Sequence, residues 1–317
     1  MTLHPQAAAF LDRLHHEGVR PDDELTVAQV RAAADRPAPA PVEPVAEVVD
    51  EVVDEVVAGP GADVPVRVYR PAAPPVGVVL YLHGGGHVTG TLDSYDGLTR
   101  RLANRVPAVV VAVGYRRAPE HRCPAAVDDA EAAYRWVLRH AAALAGEGVG
   151  GVVVAGDSAG GDDAAVLARR LCDDGSPPPA LQVLLHPTLD AVAYRDGTVH
   201  PSHRDFATGY GLTYDDGLWY WDHHLGPDGD PASPDASPLR APSVAGLAPA
   251  HVVTVGYDVL RDEGAAYAAR LRAAGVPVEH RHWPGHLHGF LGDPHTYDDA
   301  DPALDEVAAA IRRALTG

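Results

Sequence analysis

Lysine is missing from this chain: all 25 basic residues among its 317 are arginine. A Schiff-base amine, a pyridoxal anchor and a phosphate loop ending in Gly-Lys-Ser/Thr are therefore excluded. Cysteine is nearly missing too. Cys123 and Cys172 make no disulfide framework, and neither belongs to a C-x-x-C pair. Long apolar runs are absent; those around Ala108–Val113 and Val152–Ala155 fall far short of the ~20 residues that span a bilayer. The opening MTLHPQAAAFLDRLHHEG lacks the basic start and sustained apolar core of a signal peptide. A cytoplasmic protein with no stable membrane association is expected. Positive charge is scarce: 44 acidic residues against 25 basic ones give a formal charge of −19, which repels nucleic acid and anionic lipid. What remains is 46% hydrophobic and 22% charged, the balance of a globular chain long enough for one large α/β domain or two ordinary ones.

Residues 4–34 carry helical spacing, with Phe10, Leu11, Leu14 and Val19 in polar surroundings and a second helix expected from Thr26 to Ala34. The proline-rich stretch Arg36–Pro44 suits neither helix nor central strand. The tract EVVDEVVDEVV, Glu47–Val57, repeats every four residues like a helix but is built of strand-favouring valine. A twisted edge strand is expected there, because the tract leads into the alternating Val64–Tyr69. Further on, apolar runs at Val76–Leu82, Ala108–Val113, Gly151–Ala155, Leu181–Leu185, His251–Val255 and Val276–His282 alternate with helical patterns at 94–105, 126–145, 160–173, 259–274 and 302–315. Such alternation predicts an α/β fold, a mostly parallel sheet with helices on both faces. Residues 190–240 break the rhythm, with six of the chain's 19 aromatics between Phe206 and Trp221. An aromatic insertion after a strand reads as a lid or substrate wall, with a satellite core as the alternative.

The sharpest motif is Gly156-Asp157-Ser158-Ala159-Gly160, a G-x-S-x-G between a strand-like run and a helical pattern. Its glycines have a steric reason: the serine must sit on a tight, strained turn that side chains two residues away would obstruct. About 70 residues earlier, His83-Gly84-Gly85-Gly86 closes a strand and exposes backbone N–H groups suited to an oxyanion. A serine nucleophile needs a base and an orienting carboxylate, which follow it in the order acid then histidine. Asp258, just past a strand end, has Asp262 as a competitor; His288 has His286.

With these motifs in hand, the sequence resembles the hormone-sensitive lipase group of α/β-hydrolases, bacterial esterases that share HGGG and GDSAG. The resemblance runs from about Val64 to the C-terminus and includes HGGG at 83–86, YRRAPEHRCPAAVDDA at 115–130, GDSAGG at 156–161, ASPL at 236–239, DVLRDEG at 258–264 and HGF at 288–290. It implies an α/β-hydrolase fold with an eight-stranded, mostly parallel sheet and a helical cap. Residues 1–45 would form the first part of that cap and 46–317 the catalytic domain, with a cap insertion at about 190–240. It implies a Ser158–Asp258–His288 triad, an oxyanion hole from Gly84, Gly85 and Ala159, carboxylic-ester hydrolysis of short-to-medium acyl esters as small-molecule substrates, and no cofactor. A homodimer is compatible with it. Amide deacetylation or acyl transfer through the same triad is the alternative outcome, and a non-catalytic ligand-binding protein on the same scaffold a more distant one.

Four places depart from that group's pattern. Asp162 and Asp163 follow GDSAGG where Asn and an apolar residue are usual; His87 stands where a large apolar or aromatic residue is usual. His186 replaces a common Tyr and Arg117 a common Leu. The substrate pocket is expected to be lined by His87, Asp157, Asp162, His186, Tyr214 and Trp219. For the departures, altered packing is the competing reading, and in the first turn of a helix a carboxylate is also simply favoured by the dipole. The pairs His223-His224 and His280-x-His282 lack the i, i+4 spacing of a helical zinc site, so no metal is expected.

Overall fold

The computed structural model describes residues 2–37, 49–148, 151–195 and 200–317, with Val49 and Asp50 placed only as members of a strand. The boundary expected at residues 45/46 and most of the proline-rich stretch lie outside the described residues. Eight strands form one sheet: β1 (Val49–Ala58), β2 (Asp63–Pro71), β3 (Val78–Leu82), β4 (Val109–Val113), β5 (Val152–Asp157), β6 (Leu181–Leu185), β7 (Ala250–Tyr257) and β8 (Val278–Leu287). Their spatial order is β1-β2-β4-β3-β5-β6-β7-β8. The first two strands pair antiparallel to their neighbours and all later pairings are parallel.

The valine-acid tract is the edge strand β1, as expected. Register explains why its four-residue period tolerates a strand. Asp54 lies opposite Arg67 and Glu51 opposite Arg70, and both pairs close ion pairs across the ladder. Cross-strand charge pairing and an acid-studded edge that discourages further strand addition suit an outer position. The central strands are buried on both faces, so their sequences are nearly continuous valine and leucine. Alternate side chains of β3 divide between two cores: Val78, Leu80 and Leu82 pack on one face with helices α4 (Ala125–Ala145) and α5 (Ala159–Asp173), while Val79 and Tyr81 pack on the other with α3 (Asp96–Arg105) and α10 (Ala300–Thr316). The helix α9 (Arg261–Ala273) follows β7 and joins the first core.

Residues 190–240 contain no strand among those described; they form the helices α6 (Ala191–Arg195), α7 (Pro201–Asp205) and α8 (Tyr214–Leu225). Helix α8 starts where Thr213 and Asp216 each accept the other's backbone N–H, a reciprocal cap, and stops at Gly226, whose φ is +70°. Of the aromatics expected to form a wall, Phe206 and Trp221 are buried in a third core with Tyr194 and Leu225, and Tyr210 and Tyr214 pack against it. The N-terminal helices α1 (Pro5–Glu17) and α2 (Val27–Ala34) are tied to this insertion and to the sheet's loops. Asp216 accepts the Asp23 N–H, and the Tyr220 hydroxyl donates to Asp22 at 2.5 Å. No helix among the described residues is long and apolar enough to cross a membrane.

Candidate active site

Four strands deliver the site at their carboxyl ends, where open α/β sheets gather their chemistry. β3 ends in the glycine loop, β5 in Ser158, β7 in Asp258 and β8 in His288. β8 runs five residues beyond the end expected at His282, to Leu287, and so carries the histidine right up to the serine. At Ser158 the backbone is strained, with φ +52° and ψ −118°. The glycines around it are required: a Cβ on Gly156 would strike the Gly160 carbonyl, and one on Gly160 would strike the Leu82 carbonyl.

The three expected residues meet. His288 Nε2 lies 3.0 Å from Ser158 Oγ, and Nδ1 lies 2.9 Å from Asp258 Oδ2. A carboxylate only accepts, so the Nδ1 hydrogen points to Asp258 and Nε2 is left as acceptor for the serine proton. Asp258 is buried, and its other oxygen accepts the Leu260 N–H at 2.9 Å. Burial alone would push His288 down. The Asp258 charge and hydrogen bond, helped by Asp157 and Glu263, outweigh burial and raise it above the ordinary 6.5. The competitors are occupied elsewhere. His286 bonds Asp299 at 2.9 Å and stacks on Phe290, while Asp262 accepts the Ser202 N–H and pairs with Arg261.

The glycine loop departs from expectation at one donor. The Gly84 N–H points inward and donates to Asp157 Oδ1 at 3.0 Å, so it is not free for an oxyanion. Gly85 and Gly86 have positive φ, +108° and +59°, and their N–H groups donate to no protein group among the described residues. Ala159, the first residue of α5, has an N–H with no carbonyl one turn back to receive it. The open donors are therefore those of Gly85, Gly86 and Ala159. The loop is held from behind by His83, which burial pushes down to about 4 and whose Nδ1 donates to the Gly84 carbonyl at 2.8 Å.

Several expected pocket residues do other work. Asp157 is a buried hub that accepts from the Tyr81 and Tyr95 hydroxyls at 2.7 and 2.9 Å as well as from Gly84. Asp162 and His87 are buried against each other and Asp163, away from open space. His186 is buried too, with its ring edge-on to His288 at 4.4 Å. Tyr214 stacks on Tyr194 within the insertion, and Trp219 packs on His223. Tyr220, which sequence reasoning did not place at the site, covers Gly86: a Cβ there would enter its ring. Glu263 was missed as well; buried, it accepts the Leu189 N–H at 2.7 Å.

Arg117, the departure from leucine, is a clamp. It pairs with Asp35 at 2.7 Å and donates to the Gly90 carbonyl, while Asp35 accepts the Gly90 N–H. Arg31 adds bonds to the Val88 and Ala118 carbonyls and to Glu120. The N-terminal segment is thus fastened to the loop that follows HGGG. Arg117→Leu is expected to cost about 1.5–3 kcal/mol, the range for a hydrogen bond to a charged group. Limited proteolysis should then release fragments from the first 37 residues faster than in the wild type.

The profile of a family described as the alpha/beta hydrolase fold matches residues 79–292. The carboxylic ester hydrolase LipN of Mycobacterium tuberculosis is 38% identical over 82% of this chain and 69% of its own. An ethyl acetate hydrolase of Pseudomonas putida is 35% identical over 80% of each chain. The crystallised hyperthermophilic esterase of Pyrobaculum calidifontis superposes with a TM-score of 0.88 at 34% identity, covering 99% of both chains. With the strand order, the elbow at Ser158 and these relatives together, the chain belongs to the α/β-hydrolase family, in the hormone-sensitive-lipase-like group of carboxylic ester hydrolases.

Proposed function

We propose that this ester hydrolase acts on short-to-medium acyl esters through an acyl-enzyme on Ser158. The observation that carries the reading is the continuous hydrogen-bonded line from Asp258 through His288 to Ser158. His288 Nε2 takes the serine proton as Oγ attacks the acyl carbonyl, and Asp258 stabilises the imidazolium that forms. The N–H groups of Gly85, Gly86 and Ala159 receive the oxyanion, each contributing about 3–4 kcal/mol to the transition state. His288 then protonates the leaving alcohol. Water enters, loses its proton to His288, and splits the acyl-enzyme to acid and free serine. Each step uses protein groups and water alone. The N-terminal helices and residues 190–240 act together as the cap, with Tyr220 above the glycine loop.

A short acyl group is supported by the relative named as an ethyl acetate hydrolase. Hydrolysis of p-nitrophenyl acetate, butyrate, octanoate and palmitate tests it. Turnover should be fastest on the shorter chains and fall steeply before palmitate; a rate that rises to palmitate contradicts it. The base works only when neutral, so its raised pKa places the acid limb of kcat/KM above the ordinary 6.5. Activity should be lost as pH falls through that limb. A limb at or below the ordinary imidazole value contradicts the electrostatic role given to Asp258.

A further inference from the structure

Two of the four departures converge on one buried spot. His87, from the glycine loop, meets Asp162 and Asp163, from the first turns of α5. His87 Nε2 lies 3.4 Å from Asp163 Oδ2 and 3.9 Å from Asp162 Oδ2, and one ligand atom from each residue fits within 4.8 Å of the others. The side chains are only 1–4% exposed. None of His87 Nε2, Asp162 Oδ1, Asp162 Oδ2 and Asp163 Oδ2 has a hydrogen-bond partner among the described residues. His224 stacks on His87 at 3.8 Å and its Nδ1 is also without a partner. Buried carboxylate oxygens without donors are costly, and two of them side by side more so. Something positive has to sit among them.

We infer that His87, Asp162 and Asp163 form a binding site for a divalent transition-metal ion of the zinc type. The donor set supports this class. A lone imidazole nitrogen with two carboxylates suits zinc and its neighbours better than magnesium or calcium, which take oxygen ligands. A tetrahedral ion with bonds of about 2.0–2.1 Å holds its ligand atoms about 3.3 Å apart; the His87–Asp163 pair at 3.4 Å already has that spacing, and Asp162, at 3.9 Å from His87, would close in on binding. The rival occupant is a proton: burial and the neighbouring Asp163 charge hold the Asp162 carboxyl well above the usual range. A metal would displace that proton, and it would do something a proton cannot. It would join the glycine loop to the helix that starts at Ser158, since the Asp162 N–H already donates to the Ser158 carbonyl at 3.2 Å. The ion is therefore a brace between the oxyanion donors and the nucleophile, not a participant in ester cleavage.

The test is metal content and stability, neither of which depends on hydrolysis. Wild type and Ser158→Ala are purified from zinc-supplemented medium, washed with a weak chelator and measured by elemental mass spectrometry. About one ion per chain is expected in both. His87→Phe and Asp163→Asn should each lose it. After stripping, added Zn²⁺ should raise the melting temperature of the wild type by about 4 °C or more at saturating metal, and neither variant should respond. Should His87→Phe fail to fold, the Co²⁺-loaded wild type gives the second measurement, the visible absorption of a tetrahedral nitrogen–oxygen site. The inference is overturned if the wild type neither retains nor rebinds metal, which leaves the pair sharing a proton. It is equally overturned if the variants keep the ion.

Discussion

Ser158→Ala and His288→Ala are each expected to lower kcat/KM by about 10⁴- to 10⁶-fold, or about 5–8 kcal/mol of transition-state stabilisation. The reason is the 3.0 Å contact between Oγ and Nε2: without the base the hydroxyl stays protonated, and without the hydroxyl the base has nothing to activate. Because the two act as a unit, the double variant should be little worse than either single one. Asp258→Asn should cost about 10⁴-fold, since an amide that donates to Nδ1 turns the imidazole to the wrong tautomer. Circular dichroism and melting temperature check that the fold survives. Among the described residues Ser158 Oγ bonds only His288, so its removal breaks no contact outside the triad. Retention of more than a few per cent of wild-type activity by a folded Ser158→Ala would remove the triad from the account.

The second large effect is on stability, at Asp157. Its carboxylate is the shared acceptor for two tyrosine hydroxyls and the Gly84 N–H. Asp157→Ala strands those three donors in the interior at about 1–3 kcal/mol each. Allowing for relaxation, a loss of about 4 kcal/mol is expected in chemical denaturation, a large part of the stability of a typical domain. Activity should fall as well, because Gly84 would no longer be drawn inward and the following N–H groups would lose their fixed aim. Asp157→Asn keeps one oxygen and should cost less, about 1–2 kcal/mol. If Asp157→Ala unfolds like the wild type, the aspartate is not the hub described.

The elements and the triad were legible in the sequence for physical reasons. Each site residue follows an apolar run, because a parallel sheet buried on both faces leaves its chemistry to the strand ends. The elbow announces itself through glycines that only close backbone contacts require. What was not legible depends on contacts far apart in the chain. Asp157 reads as a pocket residue from its place beside Ser158, and only Tyr81 and Tyr95, 76 and 62 residues away, reveal it as a hub. The same contact turned the Gly84 N–H away and shifted the open donors by one residue. Arg117 makes sense once Asp35, 82 residues earlier, is seen beneath it. His87 and the Asp162-Asp163 pair looked like separate oddities; their meeting is a property of the packed loop and helix. The period-four valine tract needed the arginines of its neighbour strand to explain it.

The most direct test of the central claim is to trap the nucleophile. The wild type is incubated with an alkyl fluorophosphonate, and intact-protein and peptide mass spectrometry locate the adduct. One adduct per chain on Ser158, abolished in Ser158→Ala and greatly slowed in His288→Ala, is the expected result. An adduct on another residue, or ester hydrolysis that continues while Ser158 stays unlabelled, would contradict the account.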